Sequence, residues 1–219
     1  MNFDFSYTID AMPWLLKGAL VTAQVSLLCF VLSLALGTLL TIIRTLEIAL
    51  INAIIALYVS FIRGTPVLIQ IFLAYYGLPV IGIQLDAFTA GIVAVTLNSG
   101  AFTTEILRGG LKAVPNSQLE AANSLGLKPS IVWRKVVLPQ VYLTSIPPLV
   151  NEFTLVVKAT ALLSVITVVE LFRTAQQLFS SHYHVVEVLI GTAAIYFVFC
   201  FVFSRVSVVI EQRFAVRRP

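Results

Sequence analysis

The sequence predicts an all-α integral membrane protein with five transmembrane helices. Of its 219 residues, 59% are hydrophobic and only 11% are charged, and the mean hydropathy is +0.98. These values lie outside the usual range for soluble globular domains. Apolar stretches of at least about 20 residues, the length that crosses roughly 30 Å of hydrocarbon as a helix, recur along the chain. Basic residues collect between alternate stretches, which gives the predicted helices an orientation.

Five apolar stretches are predicted to span the membrane, and together they form a single transmembrane domain over residues 1–219. Their limits are about residues 14–43, 49–76, 87–107, 140–168 and 186–209. Positive charge concentrates after the first span, between the third and fourth, and at the end of the chain, at Arg44, Arg108, Lys112, Lys128, Arg134, Lys135, Arg205, Arg213, Arg217 and Arg218. Because basic loops stay in the cytoplasm, we expect the N-terminus outside and the C-terminus inside. The net charge of +4 therefore reflects orientation rather than a nucleic-acid partner.

The predicted outer loop, residues 169–185, has enough apolar periodicity for a short interfacial helix. His182 and His184 lie two residues apart, which does not suit one face of a helix, and no carboxylate-rich set accompanies them. We interpret them as surface histidines and expect no metal site. Cys29 and Cys200 fall in separate spans and are interpreted as buried thiols.

The inner loop between the third and fourth spans contains the longest polar connection, "VPNSQLEAANSLGLKPSIVWRKVVLPQ". Ser117 and Glu120 have the spacing of a capping box. Gly126 is typical of a left-handed helix stop, and Pro129 suits the first turn of a following helix. A short helix is therefore predicted over about residues 117–126.

One face of this short helix is predicted to be apolar, since Leu119, Ala122 and Leu125 recur every three residues. Two turns of helix are not stable alone in water, so the apolar face must dock on something. It lies either on its own protein or membrane surface, or on a second protein.

Ionisable side chains within the predicted spans, at Arg63, Glu152 and Lys158, are costly in lipid and normally face a cavity or a partner. By helical rise, Arg63, Asn98 and Glu152 lie at a similar depth near the bilayer midplane. Asn98 alone is either a helix–helix hydrogen bond or a ligand contact. A buried carboxylate suits the ammonium group of an amino acid.

Prolines in two spans predict broken backbone, which membranes tolerate only where it is buried in protein or lines a cavity. Pro66 lies within "IRGTPV" of the second span, and Pro147 and Pro148 lie in the fourth.

The inner loop resembles the EAA loop of the membrane subunits of ATP-binding-cassette (ABC) importers. The matching positions are Glu120, Ala121, Ala122, Gly126, Leu138 and Pro139, while Val136 stands where isoleucine is usual. The stretches "FIRGTPVLIQIFLAYYGLP", "TLNSGAFTTEILRGG", "IPPLVNEF" and "KATALLSVITVVELF" resemble the polar amino acid permeases of the histidine, glutamine, arginine and cystine type.

This resemblance implies a MetI-like permease fold in the bacterial cytoplasmic membrane and a polar or basic amino acid as substrate. It implies that the short helix is a coupling helix that docks on an ATPase subunit through Glu120, Ala121, Ala122 and Gly126. It also implies substrate contacts at Asn98 and Glu152, to which we add Arg63, Thr65 and Leu68 of the stretch around Pro66.

The implied partners are a pair of ATPase subunits, an extracytoplasmic solute-binding protein, and a second permease subunit that is identical or related. We expect no enzymatic activity and no cofactor in this chain, with ATP and Mg²⁺ bound by the partner ATPase. No Gly-Lys dipeptide of a phosphate-binding loop occurs in the sequence. The alternative, an autonomous secondary transporter or channel, is disfavoured because five spans show no inverted repeat.

Overall fold

Long apolar helices account for most of the computed structural model, which describes residues 4–182 and 184–215. All regular elements in these ranges are helical. In chain order they are α1 (Ser6–Arg44), α2 (Ala49–Gly64), α3 (Val67–Phe72), α4 (Ala87–Lys112), α5 (Asn116–Ser124), α6 (Pro129–Val132), α7 (Leu138–Thr160), α8 (Leu171–His182) and α9 (Val185–Ala215). Short π-helical and 3₁₀ turns extend α3 to Ile81, join α6 to α7, and continue α7 to Ile166.

The number of membrane-length helices agrees with the predicted fold class. Four helical stretches are long and apolar enough to cross a membrane, at Ser6–Arg44, Ala87–Lys112, Pro129–Ile166 and Val185–Val206. A fifth span results when the bent pair Ala49–Gly64 and Val67–Ile81 is counted as one. The all-α membrane fold is thus confirmed, while the predicted orientation of the termini stays a prediction.

The second predicted span is not one continuous helix. Its two halves meet at an angle of 109°, and Thr65 between them is extended, with φ −120° and ψ 145°. Pro66 causes the break, because it lacks the N–H of a helix interior and disfavours a helical conformation at the preceding residue. The break predicted at Pro66 is confirmed, and the two halves together form the second predicted span.

The break predicted at Pro147 and Pro148 is wrong, since α7 runs through both residues. Neighbouring helices explain the difference, because α7 packs against α4 on one side and α9 on another. Prolines in membrane helices are tolerated where such packing holds the segment in place.

The helix α1 packs against α4, α7, α8 and α9. Small residues bring α1 and α4 close together: a Cβ at Gly37 would lie 2.5 Å from the Thr103 side chain. The Ser99 hydroxyl donates a hydrogen bond of 3.2 Å to the Ser33 hydroxyl across the same interface. Close packing through small and hydroxyl residues is a general way for helices to associate in lipid.

The predicted coupling helix is present as α5, but it begins two residues earlier than the capping box requires. Its N-cap is Pro115, and no side chain caps the first turn. Ser117 therefore lies inside the helix rather than at the N-cap, so the capping box of Ser117 and Glu120 is wrong.

The predicted stop at Gly126 is confirmed, with φ +67°. The N–H of Gly126 donates to the carbonyl of Asn123 at 2.9 Å, and the N–H of Leu127 donates to that of Ala122 at 3.2 Å. These two bonds form a Schellman motif. Pro129 opens α6, as predicted.

The short helix predicted in the outer loop is also present, as α8. Its apolar face contributes Leu171 and Ala175 to a buried cluster with residues of α1 and α9, so this face packs on the protein. Glu170, just before α8, is fully buried. Its carboxylate accepts hydrogen bonds from the backbone N–H of Phe172 at 2.9 Å and of Arg173 at 2.7 Å, and from the Tyr196 hydroxyl at 2.9 Å.

Candidate functional site

One side chain supplies the hydrogen-bond donor that is missing at the break between α2 and α3. The carbonyl of Ile62 would bond the N–H four residues later in a continuous helix, but that residue is Pro66. The Gln70 amide replaces the missing donor: its Nε2 lies 2.8 Å from the Ile62 oxygen. The same Nε2 lies 2.8 Å from the Thr65 hydroxyl and 3.1 Å from the Thr65 carbonyl. Gln70 therefore holds both sides of the bend.

Gln70 also connects this bend to α4. The Nδ2 of Asn98 donates a hydrogen bond of 3.0 Å to the Oε1 of Gln70. Gln70 is buried, with 7% of its surface exposed, whereas Asn98 is half-buried. Sequence reasoning missed Gln70, although a lone amide in the apolar run "VLIQIF" is itself a signal of a buried polar contact.

Asn98 and Glu152 line one cavity of about 360 Å³ between α3, α4 and α7. The lining is mostly apolar, and three polar residues line the cavity in addition to Asn98. They are Ser99, Glu152 and Lys158. Ligand cavities of this kind combine an apolar lining with a few polar groups that fix orientation. The structure thus brings together two of the residues predicted to contact substrate.

Glu152 is a buried carboxylate, with 5% of its surface exposed. In residues 4–182 and 184–215, no basic side chain forms an ion pair with it. Lys158 is exposed and lines the same cavity without pairing to Glu152. Burying a charge without a partner is costly, so a carboxylate at this position favours a cationic ligand.

Arg63 lies apart from this cavity lining. Its guanidinium is 3.7 Å from the Glu105 carboxylate and lies over the Phe102 ring, 5.5 Å from the centroid. Phe102 does line the cavity, so Arg63 lies behind one of its walls. The predicted common depth of Arg63 with Asn98 and Glu152 does not bring the three side chains together.

Glu105 is the centre of a charged cluster that the sequence reasoning did not find. Arg44 contacts its carboxylate at 3.0 Å, and Arg108, three residues later on α4, forms a second close ion pair. With Arg63, three guanidiniums surround one carboxylate. The spacing of Glu105 and Arg108 at the end of an apolar run was the available signal.

Thr65 and Leu68 adjoin the bend and are not among the residues that line the cavity. The Thr65 hydroxyl donates to the carbonyl of Phe61 at 2.9 Å and accepts from Gln70. Leu68 is half-buried on α3, next to Val67, which does line the cavity.

The helix α5 has one docked face and one free face. Leu119 and Ala122 pack into a cluster with residues of α4, α6 and α7, and the Nε2 of Gln140 donates to the Oε1 of Gln118 at 2.6 Å. Glu120 and Ala121 are exposed. The predicted apolar face is correct at two positions and wrong at Leu125, which is 76% exposed because it lies at the C-cap.

The predicted outer side has a second, smaller cavity of about 280 Å³ between α1, α8 and α9. There the His184 ring stacks on Tyr7 at 3.5 Å between centroids, and its Nδ1 lies 3.4 Å from the Glu187 carboxylate. The side chain of His182 lies outside the described residues. In the part of the chain that the structure describes, no group of three His, Cys, Asp or Glu side chains is placed to hold a metal ion.

A bundle of membrane-length helices around a charged cavity, with an amphipathic helix docked at one end, defines the class of solute permeases. The chain belongs to the family described as the binding-protein-dependent transport system inner membrane component, whose profile matches residues 34–216. The predicted family, the membrane location and the permease class are confirmed.

Individual proteins give the same result. A probable amino-acid ABC transporter permease protein, PatM of Vibrio harveyi, is 35% identical over 216 residues, which cover 97% of each chain. A solved amino acid ABC transporter with histidines has a TM-score of 0.91 at 36% identity, covering 97% of this chain and 100% of that one. The inward-facing MetNI methionine ABC transporter has a TM-score of 0.64 at 19% identity, covering 92% and 95% of the two chains, and so supports the MetI-like fold.

Proposed function

We propose that this chain is the membrane subunit of an ATP-driven importer that carries a polar or basic amino acid across the bacterial cytoplasmic membrane. Membership of a binding-protein-dependent family argues against the autonomous transporter or channel. The observation that carries the proposal is the cavity lined by both Asn98 and the buried Glu152, whose carboxylate has no ion-pair partner among the described residues.

The chemistry of this cavity matches that of an amino acid. Glu152 receives an ammonium group, either the α-ammonium or a cationic side chain, because charge-assisted hydrogen bonds offset the cost of desolvation. Lys158 supplies a positive charge for the carboxylate of the amino acid, and the apolar wall of the cavity accommodates its side chain. A volume of about 360 Å³ lies in the range of small-molecule sites.

The stretch around Pro66 forms the wall beside this cavity. Arg63 acts behind Phe102, Thr65 acts through Gln70, and Leu68 adjoins Val67. We assign these three predicted contact residues to the translocation path next to the bound substrate.

The test of the substrate site is Glu152→Gln in the complete importer, reconstituted with its ATPase and binding protein in vesicles. Loss of one charge-assisted hydrogen bond should raise the KM of ATP-driven uptake by about tenfold or more, while the complex still assembles. The control is Glu47→Gln, since Glu47 is exposed in the connection between α1 and α2. A KM that Glu152→Gln leaves unchanged for every amino acid tested would refute the site.

Coupling to ATP hydrolysis is proposed to occur through the free face of α5. Ala122 and Leu119 anchor this helix to α4, α6 and α7, so a force applied to it reaches the membrane helices. Glu120 and Ala121 are exposed and lie on the side available to an ATPase subunit, and Gly126 forms the turn that ends the helix. ATP and Mg²⁺ belong to that partner. A second permease subunit and a solute-binding protein complete the importer.

The substitution Ala121→Asp tests the coupling surface without disturbing the docked face. We expect this variant to fold and to lose co-purification with the ATPase. The matched control is Ala113→Asp, an exposed alanine outside α5, which should retain the ATPase. Equal ATPase recovery and equal uptake for the two variants would contradict the proposed surface.

A further inference from the structure

We propose that Gln70 is a positioning residue that sets the orientation of the Asn98 amide and thereby ties substrate recognition to the bend between α2 and α3. This inference rests on the proposed function, in which Asn98 contacts the substrate. Gln70 itself is not among the residues that line the cavity and acts through Asn98.

The orientation of the Gln70 amide follows from its neighbours. Two of the three atoms around Nε2 are backbone carbonyl oxygens, of Ile62 and Thr65, which can only accept hydrogen bonds. The NH₂ group must therefore face them, and Oε1 must face the other way. The usual ambiguity between the oxygen and nitrogen of a side-chain amide is removed by this chemistry.

The orientation of Asn98 follows in turn. Because Oε1 of Gln70 is an acceptor, the atom of Asn98 that meets it at 3.0 Å must be the donor, Nδ2. The oxygen Oδ1 of Asn98 is then free to accept, and in the described part of the chain no protein donor bonds it. Asn98 thus offers an oxygen acceptor to a cavity that already contains the Glu152 carboxylate. Two acceptors suit an ammonium group, which has three donors.

The hydrogen bonds of the Gln70 side chain also depend on the angle between α2 and α3. Gln70 reaches Asn98 while its Nε2 also bonds the Ile62 and Thr65 oxygens on the other side of Pro66. A change in the angle between α2 and α3 moves these oxygens relative to Gln70 and so alters the hold on Asn98. Substrate affinity and the geometry of the broken span are therefore linked through four short contacts.

A double-mutant cycle on the complete reconstituted importer tests this role. The variants are Gln70→Met, Asn98→Ala and the combination, and the measurement is the KM and maximal rate of ATP-driven amino acid uptake. We expect Gln70→Met to raise KM by about tenfold, as for the loss of one hydrogen bond to a charged group, and to add nothing to KM in the Asn98→Ala background. Gln176→Met, the same change at a half-buried glutamine of α8, should leave KM unaltered.

Additive KM effects of the two substitutions would overturn the positioning role, while a KM effect of Asn98→Ala alone would still support the substrate site. If Asn98→Ala leaves KM unchanged, the proposed contact at Asn98 fails and the inference fails with it.

The variant Gln70→Glu separates the two ends of the side chain. It keeps an oxygen for the Asn98 N–H and loses the donors to Ile62 and Thr65. We expect KM to stay within about threefold of that of the unsubstituted importer, because losing one hydrogen bond to a charged group would raise KM by about tenfold and the bond to Asn98 is kept. The maximal rate and the thermal stability should fall, because the hydrogen bonds across the bend are lost. Gln70→Glu also tests the positioning role if Gln70→Met does not assemble. A KM that Gln70→Glu raises as much as Asn98→Ala does would overturn the proposal.

Discussion

Replacing Glu105 by glutamine perturbs the charged cluster near the C-terminal end of α4 most directly. The carboxylate contacts the guanidiniums of Arg44, Arg63 and Arg108, which come from three helices. Glutamine has nearly the same shape and removes only the negative charge. The three guanidiniums then repel one another around a neutral amide.

The size of the effect follows from distance and exposure. A unit charge pair at 3.0 Å, the distance between Arg44 and Glu105, interacts by about 5.5 kcal/mol at an effective dielectric of about 20. Solvent reduces this value, because 19% of the Glu105 side chain and 24% of the Arg44 side chain are exposed. We expect the free energy of unfolding to fall by about 2–3 kcal/mol, below the 3–5 kcal/mol typical of breaking fully buried pairs. For a chain of this length, that corresponds to a melting temperature lower by about 5–10 °C.

The assay is thermal unfolding of the purified importer in detergent at constant salt. Arg63→Ala provides an internal comparison, because its ion pair is longer, at 3.7 Å, and 47% of its side chain is exposed. It should cost less than about 1 kcal/mol. Glu105→Gln with an unchanged melting temperature, or Arg63→Ala with the larger loss, would refute this account of the cluster.

Three further predictions concern packing, backbone and titration. Gly110→Ala should destabilise the protein by about 1–3 kcal/mol, because the new Cβ would lie 2.5 Å from the Ser145 hydroxyl. At Gly109 an added Cβ meets nothing within 4 Å, so Gly109→Ala should be neutral or stabilising. A lower melting temperature for Gly109→Ala than for Gly110→Ala would contradict this. Gly126→Ala should cost about 1–2 kcal/mol through its left-handed φ of +67° and lower ATPase recovery on co-purification; full recovery at an unchanged melting temperature would count against the turn. Burial raises the pKa of the Glu170 carboxyl, so its contribution to stability is present in acid and is lost as pH rises through the folded-state pKa. Glu170→Gln should therefore flatten the pH profile of the melting temperature, and an identical slope in both proteins would refute that assignment.

The fold was largely predictable from sequence because membrane crossing imposes a simple rule on length and apolarity. Five apolar stretches gave the helices, and Gly126 with Pro129 gave the turn after α5. The effect of proline was less predictable. Pro66 breaks its helix, while Pro147 and Pro148 do not, because the packing of α7 on α4 and α9 decides the outcome.

Two polar members of the candidate site, but not its hydrogen-bond connections, were predictable from the sequence. Asn98 and Glu152 were indicated by their depth and by resemblance to amino acid permeases. Gln70 and Glu105 each left a local signal, but their long-range partners are distant in sequence: Gln70 bonds Asn98 28 residues away, and Glu105 bonds Arg44 61 residues away. Local patterns carry no information on such pairs, which depend on how the helices pack.

Uptake of labelled amino acids into vesicles that contain this chain, its ATPase and its binding protein is the decisive test of the proposed importer. We expect accumulation only with ATP on the side of the ATPase, and a KM that rises by about tenfold or more in Glu152→Gln. Uptake by this chain alone on an ion gradient, or ATP-driven uptake of a polar or basic amino acid that Glu152→Gln leaves unchanged, would contradict it.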